Sequence, residues 1–245
     1  MFDTSNYGWC YNNQMRLLTS PKLSPESKCP YLEDQLERHE FFFADELKQE
    51  EMDFLLSKGW RKFAQFLFRP SCAHCKKCLP LRVDVKTFKP SKSQRRNIKK
   101  NHDITVKHGP LKYKNEHFAL FKKHSYKRFD KSDIENERDF VQTFFIDAGT
   151  GYLSEFYLDH ELVAYGILDR TDNALSSVYF VFDPEYENRG LGIFGAICEI
   201  EQAKLLELDY YYLGYWIEEN KSMRYKNSFK PHELYDWDSK SWTKA

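Results

Sequence analysis

Apolar and polar residues alternate in the second half of the chain, where the pattern predicts strands interrupted by one long helix. Three alternating segments come first, and a tight turn at Asp159–His160 joins the first two. A helix with apolar residues at helical spacing follows from about Leu191 to Leu206. The predicted order is therefore β-β-β-α-β, with strands at Tyr152–Leu158, Glu161–Leu168, Ala174–Asp183 and Asp209–Trp216.

The first half of the chain is less regular, but it also mixes helices with strands. Arg38–Ala44 is an apolar strand, and Asp45 is placed to cap a helix that runs to about Lys58. Lys62–Arg69 alternates throughout, which predicts a single strand. The other predicted elements are a strand through Leu81, Val83 and Val85 and helices at Ser91–Asn101, Lys114–Phe129 and Arg138–Asp147. The whole pattern predicts an α+β fold.

The composition is that of a globular chain with an aromatic core. Of its 245 residues, 41% are hydrophobic, and 20 are Phe and 16 are Tyr. No run of eighteen apolar residues occurs, which excludes a membrane-spanning helix, and the first residues lack the pattern of a secretory signal. We therefore expect a cytoplasmic protein, in which clustered cysteines indicate metal binding rather than disulfides.

The net charge is zero, but the charges are unevenly distributed along the chain. Residues 61–131 contain 21 Lys and Arg against 4 Asp and Glu, a net charge of +17, whereas the segments on either side are acidic. One interpretation is a lysine-rich, solvated surface. The scarcity of acidic residues favours another, in which this segment meets a polyanion such as a nucleic acid.

A glycine-bearing loop, Arg189-Gly190-Leu191-Gly192, stands between the third predicted strand and the long helix. Glycine lets a backbone approach a ligand closely, and the free N–H groups at a helix start attract phosphate oxygens. The spacing resembles the R-x-x-G segment of GCN5-related N-acetyltransferases, where this loop holds the phosphate arm of an acyl donor. An ordinary strand-to-helix turn is the plainer interpretation, but the β-β-β-α-β setting favours donor binding.

Four cysteines form a candidate metal site. Cys72-x-x-Cys75-x-x-Cys78 places three thiols in one turn, and Cys29 lies upstream. Zn²⁺ commonly takes four such ligands, and an iron–sulfur cluster accepts the same set. The alternative is that these cysteines are small apolar residues packed without a metal.

The most basic stretch, Lys89–Lys100, contains six cations and no acid. On a helix, four of these cations share one broad face, which would contact consecutive phosphates and position a nucleic acid without reading its sequence. The candidate RNA-contacting residues are Lys92, Gln94, Arg95, Arg96, Lys99 and Lys100 of this stretch, together with Arg189, Gly190 and Gly192 of the glycine loop.

Two long strings resemble the signatures of one enzyme family, the arginyl-tRNA–protein transferases. They are PSCAHCKKCLPLRVDVKTFKPSKSQRRNIKKN, from Pro70 to Asn101, and LGIFGAICEIEQAKLLELDYYYLGYWIEENKSMRYKNSFKP, from Leu191 to Pro231. Cys29-Pro-Tyr-Leu32 and Gly59-Trp-Arg-Lys62 match smaller blocks. The short length and the cysteine spacing resemble the bacterial branch, the aspartate/glutamate leucyltransferases. One departure is Gly190, where the family is expected to have serine.

The resemblance implies a fold of two GCN5-related N-acetyltransferase-like units, with mixed sheets flanked by helices. It divides the chain into an N-terminal transferase domain, residues 1–130, and a C-terminal acetyltransferase-like domain, residues 131–245. It implies transfer of leucine from leucyl-tRNA to proteins that begin with Asp or Glu, which marks them for degradation by the N-degron pathway. Arginine transfer from arginyl-tRNA to the same acceptors is the second possibility.

The implied chemistry is aminolysis of an ester, which needs neither a covalent enzyme intermediate nor a redox cofactor. Position favours Asp183 or Glu155 as general base, and Tyr179 as a hydrogen-bond donor. Backbone N–H groups near Gly190–Gly192 are candidates for stabilising the oxyanion. The acidic side chain of the acceptor needs a cation, and Arg189, Arg224 and Lys226 are candidates. Alignment of the two substrates alone also accelerates such a reaction.

Two other classes of protein explain part of the sequence. A non-catalytic RNA-binding module with a zinc knuckle at Cys72–Cys78 accounts for the basic segment but leaves the β-β-β-α-β half without a purpose. A coenzyme A-dependent N-acetyltransferase accounts for the glycine loop but not for a net charge of +17, because a coenzyme has few phosphates.

Overall fold

The computed structural model describes residues 15–129 and 134–245. Its helices are α1 Gln49–Ser57, α2 Lys92–Lys100, α3 Asn115–Phe129, α4 Glu137–Phe144 and α5 Leu191–Leu205. Ser91 caps α2 by accepting a hydrogen bond from the backbone N–H of Gln94, as its place before the basic run predicts. α1 instead begins after Lys48, three residues beyond the predicted cap Asp45, which lies at the end of a strand.

Seven short strands form two small antiparallel sheets. They are β1 Arg16–Leu17, β2 Lys22–Leu23, β3 Ser27–Lys28, β4 Leu36–Glu37, β5 His39–Asp45, β6 Arg61–Phe63 and β7 Phe66–Pro70. Five of them form one sheet of order β1-β5-β7-β6 with β2 also paired to β5, and β3 pairs with β4. The prediction of a single strand over Lys62–Arg69 is wrong. Ala64, with a φ of +48°, turns the chain between β6 and β7, although alanine is no turn signal.

Eight further strands form one mixed sheet. They are β8 Leu79–Asp84, β9 Thr105–Pro110, β10 Gly151–Leu158, β11 Glu161–Arg170, β12 Ala174–Phe182, β13 Tyr210–Trp216, β14 His232–Asp236 and β15 Ser241–Lys244. Their order is β15-β14-β8-β13-β12-β11-β10-β9, and β12 and β13 run parallel. The sheet crosses the predicted domain boundary at residue 130, because β8 and β9 precede it. The division into two domains stays a prediction.

Helices cover both faces of the large sheet. On one face, Ile197 and Ile200 of α5 pack in a cluster with Leu168 and Leu175. On the other, α3 and α4 pack against Ile167 and its neighbours, mainly through aromatic rings. Consecutive strand residues point to opposite faces, which explains why Ile167 and Leu168 belong to different clusters. The predicted α+β fold and the β-β-β-α-β order are confirmed. Within the described ranges, no helix has the length and apolarity needed to cross a membrane.

Candidate active site

A cavity opens where the two parallel strands of the large sheet separate. β12 and β13 pair only from Ala174–Ser176 to Tyr210–Tyr212, and beyond that point the strands diverge. The gap between them leads into a cavity of about 450 Å³. Arg61 of β6 lies across the split, where its guanidinium donates to the Ser176 Oγ at 2.7 Å and to the backbone oxygen of Ser177. The cavity is therefore built jointly by the small and the large sheet.

The mouth of the cavity is the start of α5. Gly190, with a φ of +65°, ends the 3₁₀ segment Pro184–Arg189 and begins α5, a conformation that favours glycine. Gly192 lies one residue into the helix, and a side chain there would meet nothing within 4 Å. Both glycines line the cavity. The first N–H groups of α5, which have no partner inside the helix, are thus placed beside open space.

The basic helix α2 is attached directly to this mouth. The amides of Asn97 and Asn101 donate to the backbone oxygen of Arg189 at 2.8 and 3.0 Å. Lys100 donates to the backbone oxygen of Asn188. A Cβ on Gly190 would lie 2.8 Å from the Asn97 amide nitrogen, so the close fit of α2 also requires glycine there. The most basic element and the cavity share one loop.

Arg189 stabilises the loop instead of facing the cavity. Its guanidinium makes two hydrogen bonds to Asp103, at 2.7 and 2.9 Å. Such bidentate pairs hold both partners in a defined geometry. The guanidinium of Arg189 is thus committed to Asp103, whereas the predicted loop residues Gly190 and Gly192 do line the cavity.

Aromatic side chains form much of the cavity wall. β6 and β7 of the small sheet contribute Phe63 and Phe68, whose rings stack at 5.6 Å. β12 contributes Tyr179, which stacks on Phe144 of α4 at 5.1 Å. The remaining rings of the wall are Tyr31, Phe180, Phe182, Tyr211, Tyr215 and Tyr225. Such a wall suits an apolar or planar ligand group.

Two cations lie together in the cavity. Lys226 is 9% exposed, and its Nζ donates to the backbone oxygen of Tyr215 at 2.8 Å. Arg61 is also buried, and burial lowers the pKa of its guanidinium. A Cβ built on Gly214 would lie 3.5 Å from the Lys226 Nζ and 3.7 Å from the Arg61 Nη2, so both charges flank the same point. Arg224 is exposed, donates to the backbone oxygen of Glu218 at 3.2 Å, and lies outside the cavity lining.

A buried carboxyl group lies at the inner end of the cavity. Glu199 of α5 is 0% exposed, and it accepts hydrogen bonds from Ser154 at 2.6 Å and from the Tyr211 hydroxyl. Gly166 makes room for it, because a Cβ there would be 2.1 Å from the carboxylate. Burial raises the pKa of Glu199 to about 7. A carboxyl group with this pKa can exchange protons near neutral pH.

Sequence reasoning missed both Arg61 and Glu199. Arg61 lay in one of the short family blocks but had no pattern that indicated burial. Glu199 did have a signal, because it stands between the apolar positions Ala196 and Ile200 on the buried face of α5. An acid among apolar helix positions indicates a buried polar interaction.

Two of the three predicted acid–base residues lie outside the cavity lining. Asp183 caps the 3₁₀ segment through the backbone N–H of Glu185 and pairs with Lys123 at 2.9 Å. Glu155 accepts hydrogen bonds from Lys114 at 2.6 Å and from His117 at 2.9 Å. Tyr179 alone of the three lines the cavity. The catalytic roles of all three stay predictions.

The exposed cations of α2 differ from the many cations of the basic segment that form ion pairs. Many cations of residues 61–131 pair with acids later in the chain, as in Lys62–Asp169, Lys76–Asp238, Lys77–Glu219, Arg82–Glu233, Lys86–Asp209, Lys114–Glu155 and Lys123–Asp183. No cation of α2 forms a salt bridge with any described residue. Gln94 is the exception on this predicted surface, because it is buried and its amide donates to the Ser228 backbone oxygen at 3.4 Å.

The four predicted cysteine ligands are gathered in one region. Burial is the main cause that raises the pKa of the Cys78 thiol to about 12, and the neighbouring Cys72, Cys29 and Cys75 contribute less. In the described parts of the chain, the group of possible metal ligands whose donor atoms all lie within 4.8 Å of one another is Glu116, His117 and Glu155, not the cysteines. The thiols are neighbours whose thiolates would repel each other, but no three of their sulfur atoms all lie within 4.8 Å of one another.

Comparisons with known proteins identify the family. The N-terminal model of arginine-tRNA-protein transferase matches residues 27–96, and the C-terminal model matches residues 116–236. The chain belongs to the arginine-tRNA-protein transferase family, and it is an enzyme, an aminoacyltransferase that uses aminoacyl-tRNA.

Curated relatives narrow the family further. A protein named aspartate/glutamate leucyltransferase from Thiobacillus denitrificans is 35% identical over 85% of this chain and 88% of its own length. Another of that name, from Nitrosococcus oceani, is 36% identical over 90% of this chain and 94% of its own length. Among solved structures, L-PGS from Bacillus licheniformis aligns with a TM-score of 0.45 and 14% identity, over 78% of this chain and 64% of that chain.

Proposed function

We propose that this enzyme transfers leucine from leucyl-tRNA to the N-terminal Asp or Glu of proteins, in the cytoplasm, and so marks them for degradation. The observation that supports the site is the attachment of α2 to the loop that forms the mouth of the cavity. A tRNA bound along the exposed cations of α2 brings its 3′ end to this mouth. The names of the relatives support leucine as the transferred group.

The donor ester fits the start of α5. Its carbonyl oxygen becomes negatively charged in the tetrahedral intermediate, and the N–H groups of Leu191 and Gly192 are placed to stabilise that charge. An apolar leucine side chain suits the wall around Phe63 and Phe68. An arginine side chain would need an acidic partner. Of the two described acids in the cavity lining, Glu199 is already bonded to Ser154 and Tyr211, and Glu187 belongs to the segment before α5 and not to the aromatic wall.

The acceptor fits the two cations. Lys226 and Arg61 flank one point of the cavity and can pair with the carboxylate of an N-terminal Asp or Glu. The same cations disfavour the protonated acceptor amine, which must be neutral before it attacks the ester. This step needs no covalent enzyme intermediate, because alignment of the amine and the ester accounts for much of the acceleration.

The test is transfer of labelled leucine or arginine from charged tRNA to peptides that begin with Asp, Glu, Lys or Ala. We expect leucine on the Asp and Glu peptides only. Lys226→Met should raise the KM for the Asp peptide at least about tenfold, with little effect on the KM for leucyl-tRNA. Arg224→Met, outside the cavity, is the matched control. Arginine transfer would overturn the donor assignment, and absence of transfer from both tRNAs would overturn the proposed activity.

We also propose that Cys29, Cys72, Cys75 and Cys78 hold a structural metal, either zinc or an iron–sulfur cluster. Neighbouring thiolates repel one another, and a bound cation removes that repulsion and lowers the thiol pKa values. The sulfurs must approach each other to reach tetrahedral geometry. Metal content and visible absorption of the purified protein, compared with Cys75→Ser, test this proposal. A metal-free protein that folds and transfers normally would contradict it.

A further inference from the structure

Polar side chains lead from the cavity to the buried carboxyl group. Ser177 of β12 is half-buried and lines the cavity beyond the point where β12 and β13 separate. Tyr211 of β13 lines the cavity as well, and its hydroxyl donates to Glu199 of α5. Three elements, β12, β13 and α5, thus each contribute one polar side chain, from the half-buried Ser177 to the fully buried Glu199.

The surroundings hold this line in place. Arg61 lies where β12 and β13 separate, and it donates to the Ser176 Oγ and to the Ser177 backbone oxygen. The Ser177 hydroxyl therefore takes no part in the contact with Arg61. Ser154 donates to the second oxygen of Glu199 at 2.6 Å. A buried acid costs stability unless its hydrogen bonds are satisfied, and here both oxygens have a donor. The two hydrogen bonds thus hold the Glu199 carboxyl group in one position.

We propose that Ser177, Tyr211 and Glu199 form a proton relay for the transfer reaction. This inference rests on the proposed function. Of the three, Ser177 is the residue that contacts the acceptor amine, while Tyr211 and Glu199 act through it.

The relay moves one proton and returns it. As the amine nitrogen bonds to the ester carbon, its proton passes to the Ser177 Oγ, the serine proton passes to the Tyr211 oxygen, and the tyrosine proton passes to Glu199. When the bond from carbon to the 3′ oxygen of the tRNA breaks, that oxygen keeps the electron pair. It then takes a proton from Ser177 as the chain reverses. Glu199 ends ionised, as it began.

The groups around Glu199 are consistent with this role. β10 presents Ser154 and β13 presents Tyr211, while β11 presents Gly166, which has no titratable group. On α5 itself the neighbouring titratable group is the Cys198 thiol, whose pKa burial raises to about 12, so it stays neutral. Arg61 is the nearby cation, on the side of Tyr211 that faces the cavity. None of these neighbouring groups has a pKa close to that of Glu199, so a change of rate near pH 7 can be assigned to Glu199.

The test uses Glu199→Gln, Tyr211→Phe and Ser177→Ala in the leucyl-transfer assay from pH 5.5 to 9. We expect kcat to fall about 100-fold or more in all three variants, with the KM values little changed. The wild-type rate should rise with pH through about 7, because Glu199 must be ionised to accept the proton. In Glu199→Gln, this rise of the rate through pH 7 should be absent from the pH–rate profile. A second rise in the pH–rate profile, near pH 8, comes from deprotonation of the acceptor amine and should remain in the wild type and in every variant.

Tyr212→Phe is the matched control, because Tyr212 is the next residue of β13 and its hydroxyl accepts from Arg82 at 3.3 Å, away from the cavity. Its activity should stay near the wild-type level. If the wild type transfers leucine while Glu199→Gln and Tyr211→Phe keep their rates and the rise near pH 7, the relay is wrong and the proposed function stands. If the folded wild type transfers nothing, the proposed function fails and the relay fails with it.

Discussion

Two groups of cations in the same basic segment have opposite environments. Arg61 and Lys62 are buried, and each has fixed partners, Lys62 in an ion pair with Asp169 at 2.8 Å. Arg96 and Lys99 of α2 are exposed, and no described acid pairs with them. Both groups contribute to the same net charge of the segment, so charge counting along the sequence cannot separate them.

The difference in environment implies a difference in task. A buried ion pair in low dielectric responds little to salt and holds two elements in register. Exposed cations without partners remain available to a polyanion and are strongly screened by salt. The buried cations build the cavity, and the exposed ones suit the tRNA.

Breaking the buried pair should have the largest effect on stability. Lys62→Met leaves the Asp169 carboxylate buried, and among the described residues its remaining side-chain donor is the Thr150 hydroxyl, at 2.9 Å. We expect the free energy of unfolding to fall by about 3–5 kcal/mol, measured by urea denaturation. The double variant Lys62→Met with Asp169→Asn should recover more than half of the loss. A decrease in the free energy of unfolding of less than about 1 kcal/mol would show that the Lys62–Asp169 pair does little to hold β6 in place.

Glu199→Gln should instead stabilise the protein at alkaline pH. Its pKa is raised in the folded state from 4.5 to about 7, so its stability contribution is lost as pH rises through that range. The free energy of unfolding of Glu199→Gln should exceed that of the wild type by up to about 3 kcal/mol at pH 8. The difference should shrink towards pH 4.5, because at that pH the Glu199 carboxyl group of the folded wild type is neutral, as the glutamine amide of the variant is. An equal difference at pH 5 and pH 8 would contradict the raised pKa.

The sequence predicts correctly those helices and strands that are marked by caps, turn residues or apolar periodicity within a few neighbouring residues. The helix α2 was predicted from Ser91 to Asn101, and the structure places its caps at these two residues. The β-β-β-α-β order was predicted from periodicity and from the turn at Asp159–His160, where both residues have a positive φ. In these segments the spacing of apolar residues and the caps agree with the tertiary structure.

The interior of the site depends on contacts between distant residues, which pattern does not show. Arg61 meets Ser176 more than a hundred positions away, and Glu199 meets Ser154 and Tyr211 from two different strands. Ala64 turns the chain without a turn residue, so periodicity merged β6 with β7. To predict any of these features, one must already know which strands are neighbours in the sheet.

Removing charge from α2 should have the smallest effect and the strongest dependence on salt. Arg96→Ala with Lys99→Ala removes two exposed cations that have no described acidic partner, so the fold should keep its stability within about 0.5 kcal/mol. Affinity for leucyl-tRNA should fall at low salt, and the slope of log K against log salt should become shallower by about 1–2, because each phosphate contact contributes about 0.7–0.9. Lys204→Ala with Lys244→Ala removes two exposed cations outside the basic segment and serves as the control. Equal slopes for the two double variants would mean that the tRNA does not lie along α2, and the unpaired cations of this helix would then need another partner.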